Sequence, residues 1–138
     1  MKEIRSSGAP APVGPYSQAV EHAGWIFASG QIPLDPATGK LVAGGIEEQT
    51  RRVLANLRAV LEAAGASLGD VVRTTIYLVD LSQFARVNGV YAEHFPGTPK
   101  PARATVQVAA LPLGAAVEID VIARKRRGAA RAASRSRA

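Results

Sequence analysis

The sequence predicts an α+β domain in which a largely antiparallel sheet carries two helices on one face. Three observations lead to this prediction. Residues Ile46–Ala64 have the apolar spacing of an amphipathic helix, and Val71–Val79 has strong β propensity. Two alternating apolar segments, Lys100–Ala109 and Val117–Ala123, flank a turn at Leu111–Gly114. The predicted element order is strand, strand, helix, strand, helix, strand, strand.

The chain has 138 residues and an ordinary hydrophobic content, which is typical of a protein with a single globular domain. The chain has no cysteine, and its two histidines, His22 and His94, lie far apart. We therefore expect no disulfide, no thiolate nucleophile and no metal site. The N-terminus lacks the apolar segment of a signal peptide, and we expect a cytoplasmic protein with no membrane span.

The net charge of +6 comes from the C-terminal end. Residues 124–138 hold seven of the 17 basic residues, which leaves 10 basic against 11 acidic residues in 1–123. We therefore predict one domain over residues 1–124 and a basic, disordered tail over 125–138. Contact with nucleic acid is expected only weakly, through this tail.

The N-terminal part contains an extended proline-rich lead-in, Ala9–Pro12, and then a loop that enters a short strand before the turn at Gly24. The second strand, Trp25–Ser29, should pair with the first. Gly30 follows it directly, and a glycine there indicates either close backbone approach to a ligand or a simple bend.

The first helix is predicted from Ile46 to Ala64, with Gly65 as its C-terminal cap. Its apolar positions are Ile46, Val53, Leu54, Leu57, Val60, Leu61 and Ala64. The second helix, Leu81–His94, has Leu81, Phe84, Val87 and Tyr91 along one side and Asp80 or Ser82 as N-cap. Asn88 lies beside this apolar row, where it either faces solvent or reaches a neighbouring loop.

The strand between the helices should direct Val72, Ile76 and Leu78 toward them and leave Val71, Tyr77 and Val79 on the uncovered face. A domain of this size seldom leaves a broad apolar sheet face in water. The sequence therefore predicts self-association, with sites at subunit boundaries.

Two charged residues stand out in the predicted hairpin of the last two strands: Arg103 opens one arm and Glu118 lies in the other. They could form a solvent-exposed cross-strand ion pair. Alternatively, the guanidinium could bind a substrate carboxylate beside an acid that moves protons. We predict that both side chains point to the same face of the hairpin.

Several segments in order resemble the reactive intermediate deaminase family, also called Rid or YjgF-like proteins. They span about Ser7 to Arg124 and include GPYSQA at 14–19, SGQIP at 29–33, TTIYL at 74–78, PAR at 101–103 and VEI at 117–119. The resemblance implies a chorismate-mutase-like, two-layer α+β sandwich that forms a homotrimer with sites between subunits. It also implies hydrolysis of 2-imino acids and their enamine tautomers, such as 2-aminoacrylate, without a cofactor.

The resemblance also implies roles for individual residues. Arg103 would hold the substrate carboxylate, and Glu118 would orient the attacking water or relay its proton. The other positions expected to bind substrate or water are Tyr16, Ser29, Gly30, Asn88 and Thr105. Thr105 stands where many relatives carry cysteine, which bears on substrate preference. The alternatives are a noncatalytic binder of small carboxylates and, less favoured, an RNA-binding protein or ribonuclease.

Overall fold

The computed structural model describes residues 1–126, which form a six-stranded mixed sheet with two helices. The strands are β1 (Lys2–Ile4), β2 (Ala19–His22), β3 (Trp25–Gln31), β4 (Val71–Leu78), β5 (Ala102–Gln107) and β6 (Val117–Arg124). The helices are α1 (Ile46–Ala63) and α2 (Phe84–His94). The spatial order of the strands is β1-β2-β3-β6-β4-β5. The predicted α+β class, with a mostly antiparallel sheet and two helices, is confirmed.

Only β4 and β5 pair in parallel, and α2 connects them as a crossover. The other crossover, through α1, joins β3 to β4, and β6 is inserted between those two strands. Every second residue of β6 is buried, which is typical of a central strand under a helical layer. The core therefore lies between β6, its neighbouring strands and the two helices.

The predicted apolar face of α1 is confirmed, because all seven of its expected core residues are buried. The helix ends where predicted: Gly65 has a φ of +81°, and its N–H donates to the carbonyl of Glu62. The second helix begins later than predicted, after a short 3₁₀ turn at Leu81–Gln83 capped by Asp80. Val87 and Tyr91 are buried, whereas Leu81 and Phe84 remain partly exposed.

The predicted hairpin of the last two strands is wrong. In the fold, β4 separates β5 from β6, pairing in parallel with the first and antiparallel with the second. The α2 crossover returns the chain beside β4 at the sheet edge, and the more apolar β6 takes the central position. Residues 108–116 therefore cross the end of β4 instead of forming a tight turn.

Two smaller predictions also fail for local reasons. A register shift between Val71 and Arg73 makes Val72 the extra residue, so Val71 is buried and Val72 is exposed, the reverse of what was predicted. Strand β1 was not predicted, because only Ile4 among its three residues is buried and no alternation is visible. Its pairing with β2 makes it a strand.

The face of the sheet opposite the helices is uncovered in the single chain. Side chains on this outer face include Phe27, Tyr77, Val106, Glu118 and Asp120. Phe27 and Val106 are 46% and 42% exposed, which is high for large apolar side chains. The outer face is therefore apolar at its ends and carries two carboxyl groups near its centre.

The first two residues after β6 form ion pairs with the domain. Lys125 Nζ lies 2.8 Å from Glu21 Oε1, and Arg126 Nε lies 2.9 Å from Asp70 Oδ1. The rest of the predicted tail, 127–138, lies outside the described residues. Within the part of the chain that the structure describes, neither helix is long and apolar enough to cross a bilayer.

The central position of β6 can be tested by truncating Ile119, which is fully buried. We expect Ile119→Ala to lower the free energy of unfolding by about 2–5 kcal/mol, through lost burial and the cavity left behind. Urea denaturation measures this. The control, Val72→Ala on the exposed bulge, should change stability by less than about 0.5 kcal/mol. Equal effects at both positions would contradict the strand order.

Candidate active site

Four of the predicted site residues lie together around one cavity. Tyr16, Ser29, Gly30 and Glu118 line a space of about 550 Å³, which we call the acidic cavity after its glutamate. Its other walls are mostly apolar and come from the 10–13 loop, the end of β3 and Pro112–Leu113. Sequence reasoning thus found the polar side of this cavity but not the extent of its apolar walls.

The glycine at position 30 lies directly against the side chain of Glu118. A Cβ at this position would collide with the carboxyl group of Glu118. Pairing between β3 and β6 is interrupted between Ala28 and Gln31, and this bulge brings Gly30 against that carboxyl. In the fold, the group that closely approaches Gly30 is therefore Glu118, and the contact of Gly30 with a ligand stays a prediction.

The loop that forms one wall of the acidic cavity is held by the buried side chain of Gln18. Its amide nitrogen donates to the carbonyl of Pro10 at 2.8 Å, and its oxygen accepts from the backbone N–H of Ser6 at 2.7 Å. Ser29 Oγ donates to the carbonyl of Ser17 at 2.6 Å. Because its one proton is used, the Ser29 hydroxyl can offer only its lone pairs to a water or substrate.

The electrostatic surroundings of Glu118 favour its protonated form. Burial raises the pKa of this carboxyl above its ordinary value of 4.5, and the negative charge of nearby Asp120 raises it further. Asp120 is held by Tyr77, whose hydroxyl donates to Oδ2 at 2.9 Å. Glu118 is therefore better suited than an exposed glutamate to exchange protons near neutral pH.

Arg103 and Asn88 lie around a different cavity, of about 380 Å³, on the helix side of the sheet. Arg103 Nη1 donates to Asn88 Oδ1 at 2.8 Å, so Asn88 reaches a neighbouring strand instead of facing only solvent. Lys100 also lines this space, which we call the basic cavity, and its ammonium donates to the carbonyl of Phe95 at 2.7 Å. Two cations and no lining carboxylate favour an anionic ligand.

Lys100 was not predicted as a site residue. A lysine in a proline-rich connection usually indicates only a solvated loop, and the one available signal was its place three residues before Arg103. Thr105 was predicted, but it lines neither cavity. Its Oγ1 is buried on the side of β5 that carries Arg103, with no hydrogen-bond partner among the described residues.

The prediction that Arg103 and Glu118 share a face is wrong. Arg103 lies opposite Thr74 on β4, and Glu118 lies opposite Tyr77 on the same strand. Thr74 and Tyr77 are an odd number of positions apart, so their side chains point to opposite faces of the sheet. The alternative of a cross-strand ion pair is wrong for the same reason. In one chain, the guanidinium and the carboxyl occupy separate cavities.

Comparison with known proteins identifies the family. The family model described as "Endoribonuclease L-PSP" matches residues 6–125. The chain belongs to this family, the Rid family. One Rid relative, Reactive Intermediate Deaminase A of Arabidopsis thaliana, is 51% identical over 123 residues, covering 88% of this chain and 65% of the relative.

Two further Rid relatives are informative. The 2-iminobutanoate/2-iminopropanoate deaminase of Mus musculus is 49% identical over 122 residues, which is 88% of this chain and 90% of the mouse protein. The crystal structure of Escherichia coli TdcF with bound serine superposes with a TM-score of 0.86 at 40% identity, covering 91% of this chain and all of TdcF. The α+β fold class and the family prediction are confirmed, and the homotrimer stays a prediction.

Two of these Rid relatives, at 51% and 49% identity, are named as deaminases. Among residues 1–126, no group of three or more His, Asp or Glu side chains is placed to hold a metal ion.

The raised pKa of Glu118 has a measurable consequence for stability. Because the folded protein holds this proton more tightly than the unfolded chain, the stabilisation is complete below pH 4.5 and is lost as pH rises through the raised pKa. We expect Glu118→Gln to remove this part of the pH dependence, measured by urea unfolding between about pH 4 and pH 7.

A second variant separates the two causes of this shift. Asp120→Asn removes the neighbouring negative charge, so the pKa of Glu118 should fall partway toward 4.5, as measured by carbon NMR titration of its carboxyl. A wild-type protein whose Glu118 titrates at or below 4.5 would contradict this account of the site.

Proposed function

We propose that this protein hydrolyses reactive 2-imino acids and their enamine tautomers to 2-keto acids and ammonia. The proposed substrates are 2-aminoacrylate, 2-iminopropanoate and 2-iminobutanoate. The observation that carries the proposal is that one chain has both a basic cavity at Arg103 and an acidic cavity at Glu118. A substrate with a carboxylate next to an imine needs both functions. The deaminase names of relatives at about 50% identity support the assignment.

The separation of the two cavities requires that a complete site be built from two copies of the chain. A 2-imino acid is only a few atoms long, whereas Arg103 and Glu118 point away from each other across the sheet. A homotrimer would resolve this by placing the basic cavity of one subunit against the acidic cavity of the next. The opposite charges of the two cavities and the exposed apolar outer face support such an assembly.

The position of Arg103 in the sheet makes this arrangement accessible. Strand β5 is the last strand of the sheet, so its outer edge has no partner strand among the described residues. Unpaired edges are usually covered by another element or another chain. A second subunit that covers β5 would therefore approach the basic cavity directly.

The proposed reaction uses the groups of both cavities. Arg103 would bind the substrate carboxylate through two parallel hydrogen bonds and so orient the plane of the C=N bond. A water molecule adds to the imine carbon while Glu118 accepts its proton, and the same proton passes to nitrogen. The hydroxyl proton of the resulting carbinolamine then passes to its amino nitrogen, the C–N bond breaks, the C=O bond forms and ammonia leaves. One water is consumed, and no electrons are gained or lost.

The bound serine of TdcF is consistent with this substrate class. Serine carries a carboxylate and an amino group on one carbon, as a 2-imino acid carries a carboxylate next to its C=N carbon. For this chain, we propose that Arg103 and Lys100 provide the positive charge for the carboxylate. Gly30, Ser29 and Tyr16 would border the reacting carbon and nitrogen from the acidic cavity.

Single substitutions test the two roles. We expect Arg103→Ala to lower kcat/KM for freshly generated 2-iminopropanoate by about 100-fold or more, since the carboxylate loses a charged partner. Glu118→Gln should lower kcat and leave keto-acid binding intact. Coupling an amino-acid oxidase to 2-keto-acid detection measures turnover. If Glu118→Gln keeps wild-type kcat, the noncatalytic carboxylate binder is the better assignment.

Mixing the two inactive variants tests the shared site. In rings assembled from equal amounts of Arg103→Ala and Glu118→Gln chains, about a quarter of the boundaries would hold both intact groups. Co-expressed variants should therefore recover activity that neither has alone. Each variant alone, confirmed as an oligomer of unchanged mass by ultracentrifugation, is the control. No recovery in verified mixed oligomers would contradict a site built from two chains.

RNA binding or cleavage is the second candidate, because the matching family model carries an endoribonuclease description. Residues 1–123 have nearly balanced charge, whereas most of the excess basicity lies after β6. We expect deletion of residues 127–138, which keeps the ion pairs of Lys125 and Arg126, to abolish most affinity for single-stranded RNA. Fluorescence anisotropy at low and moderate salt measures this. Undiminished binding or cleavage by the shortened chain would favour the ribonuclease.

A further inference from the structure

The guanidinium of Arg103 lies beside two aromatic rings of α2. Its Cζ is 5.4 Å from the centroid of Phe84 and 4.9 Å from that of Tyr91. Both distances are within the range of cation–π attraction. The rings are seven residues apart, which places them on the same side of the helix two turns from each other. Asn88, which accepts the hydrogen bond from Nη1, lies between them in the sequence.

One of the two rings is rigidly fixed by the fold. Tyr91 is buried, its hydroxyl lies 2.9 Å from Thr74 Oγ1, and its ring is 4.5 Å from the ring of Phe95. Its contact with Arg103 therefore has one defined geometry. Thr74 is also the cross-strand neighbour of Arg103. The pairing of β4 with β5 therefore fixes the position of the Tyr91 ring relative to the guanidinium.

The other ring has no comparable structural role. Phe84 is 37% exposed at the first position of α2, so burial alone does not account for a phenylalanine there. The contact it makes with a charged group is the one with Arg103. A ring that lies against a cation and partly shields it from water strengthens the attraction of that cation for an anion.

The hydrogen bond to Asn88 also leaves one side of the guanidinium free. Nη1 is engaged, and no hydrogen bond within residues 1–126 uses Nε or Nη2. These two nitrogens form one edge of the planar guanidinium, and their parallel N–H bonds match the two oxygens of a carboxylate.

We propose that Phe84 and Tyr91 form an aromatic clamp that holds Arg103 with its Nε–Nη2 edge presented to the substrate carboxylate. Both are positioning residues for Arg103 in the proposed reaction, so the inference rests on the proposed function. An arginine has many rotamers, and fixing one before substrate arrives reduces the entropy lost on binding. The clamp should therefore act on affinity for the carboxylate and leave the chemical step at Glu118 unchanged.

The experiment measures two quantities for each variant: KM and kcat for 2-iminopropanoate, and the dissociation constant of 2-oxobutanoate by calorimetry. Phe84→Leu should raise KM and the dissociation constant about 3- to 30-fold, with kcat changed less than about twofold. Leu81→Ala is the matched control, because Leu81 is similarly exposed in the turn just before α2 and has no aromatic ring to place against Arg103. It should behave as wild type.

Two substitutions at Tyr91 separate the clamp from the fold. Tyr91→Phe keeps the ring but loses the hydrogen bond to Thr74, so it should lower the melting temperature and leave KM near wild type. Tyr91→Leu removes the ring and should raise KM as Phe84→Leu does. If Tyr91→Leu fails to fold, the KM and dissociation constant of Phe84→Leu alone decide whether the aromatic clamp is correct.

The outcomes distinguish failure of the aromatic clamp from failure of the proposed deaminase function. If Arg103→Ala loses binding of 2-oxobutanoate while Phe84→Leu binds it as wild type, the clamp is overturned and the carboxylate site stands. If the wild type hydrolyses no imine, yet Phe84→Leu weakens Arg103-dependent binding, the clamp stands and the deaminase assignment fails. A fall in kcat with unchanged KM would also overturn the clamp.

Discussion

The alternation of side chains along β4 is the constraint on which the architecture of the site depends. Arg103 and Glu118 pair with β4 residues whose side chains point to opposite faces of the sheet, so the sheet itself separates the two charged groups. No side-chain rearrangement within one chain brings them together. The separation gives each group its own environment, with one further cation and two aromatic rings around Arg103 and apolar walls with a second carboxyl around Glu118.

These separate environments suit two different tasks. A guanidinium that binds a carboxylate should be fixed in direction and keep its charge, and the basic cavity supplies the contacts for this. A proton carrier should instead gain and lose charge easily near neutral pH, and burial beside Asp120 moves Glu118 toward that condition.

Several predictions from the sequence succeeded because they rest on local rules. The core face of α1 and its end at Gly65 follow from periodicity and glycine conformation. The predictions that failed depend on partners distant in the sequence. The hairpin prediction was wrong because β4 lies between β5 and β6. The predicted burial of Val71 and Val72 was reversed because a bulge shifts the register at this point. Neither event leaves a signal in its own segment.

The sequence by itself determined the α+β class, the family and the residue types that the chemistry needs, since these follow from short-range patterns and from motifs in order. Only the tertiary structure decided which face each charged residue occupies, because a shift of one position or one inserted strand reverses that face. It also revealed Lys100 and the two rings around Arg103, whose spacing in sequence is equally typical of a loop and a core helix. Pairing and packing between distant segments produced these contacts.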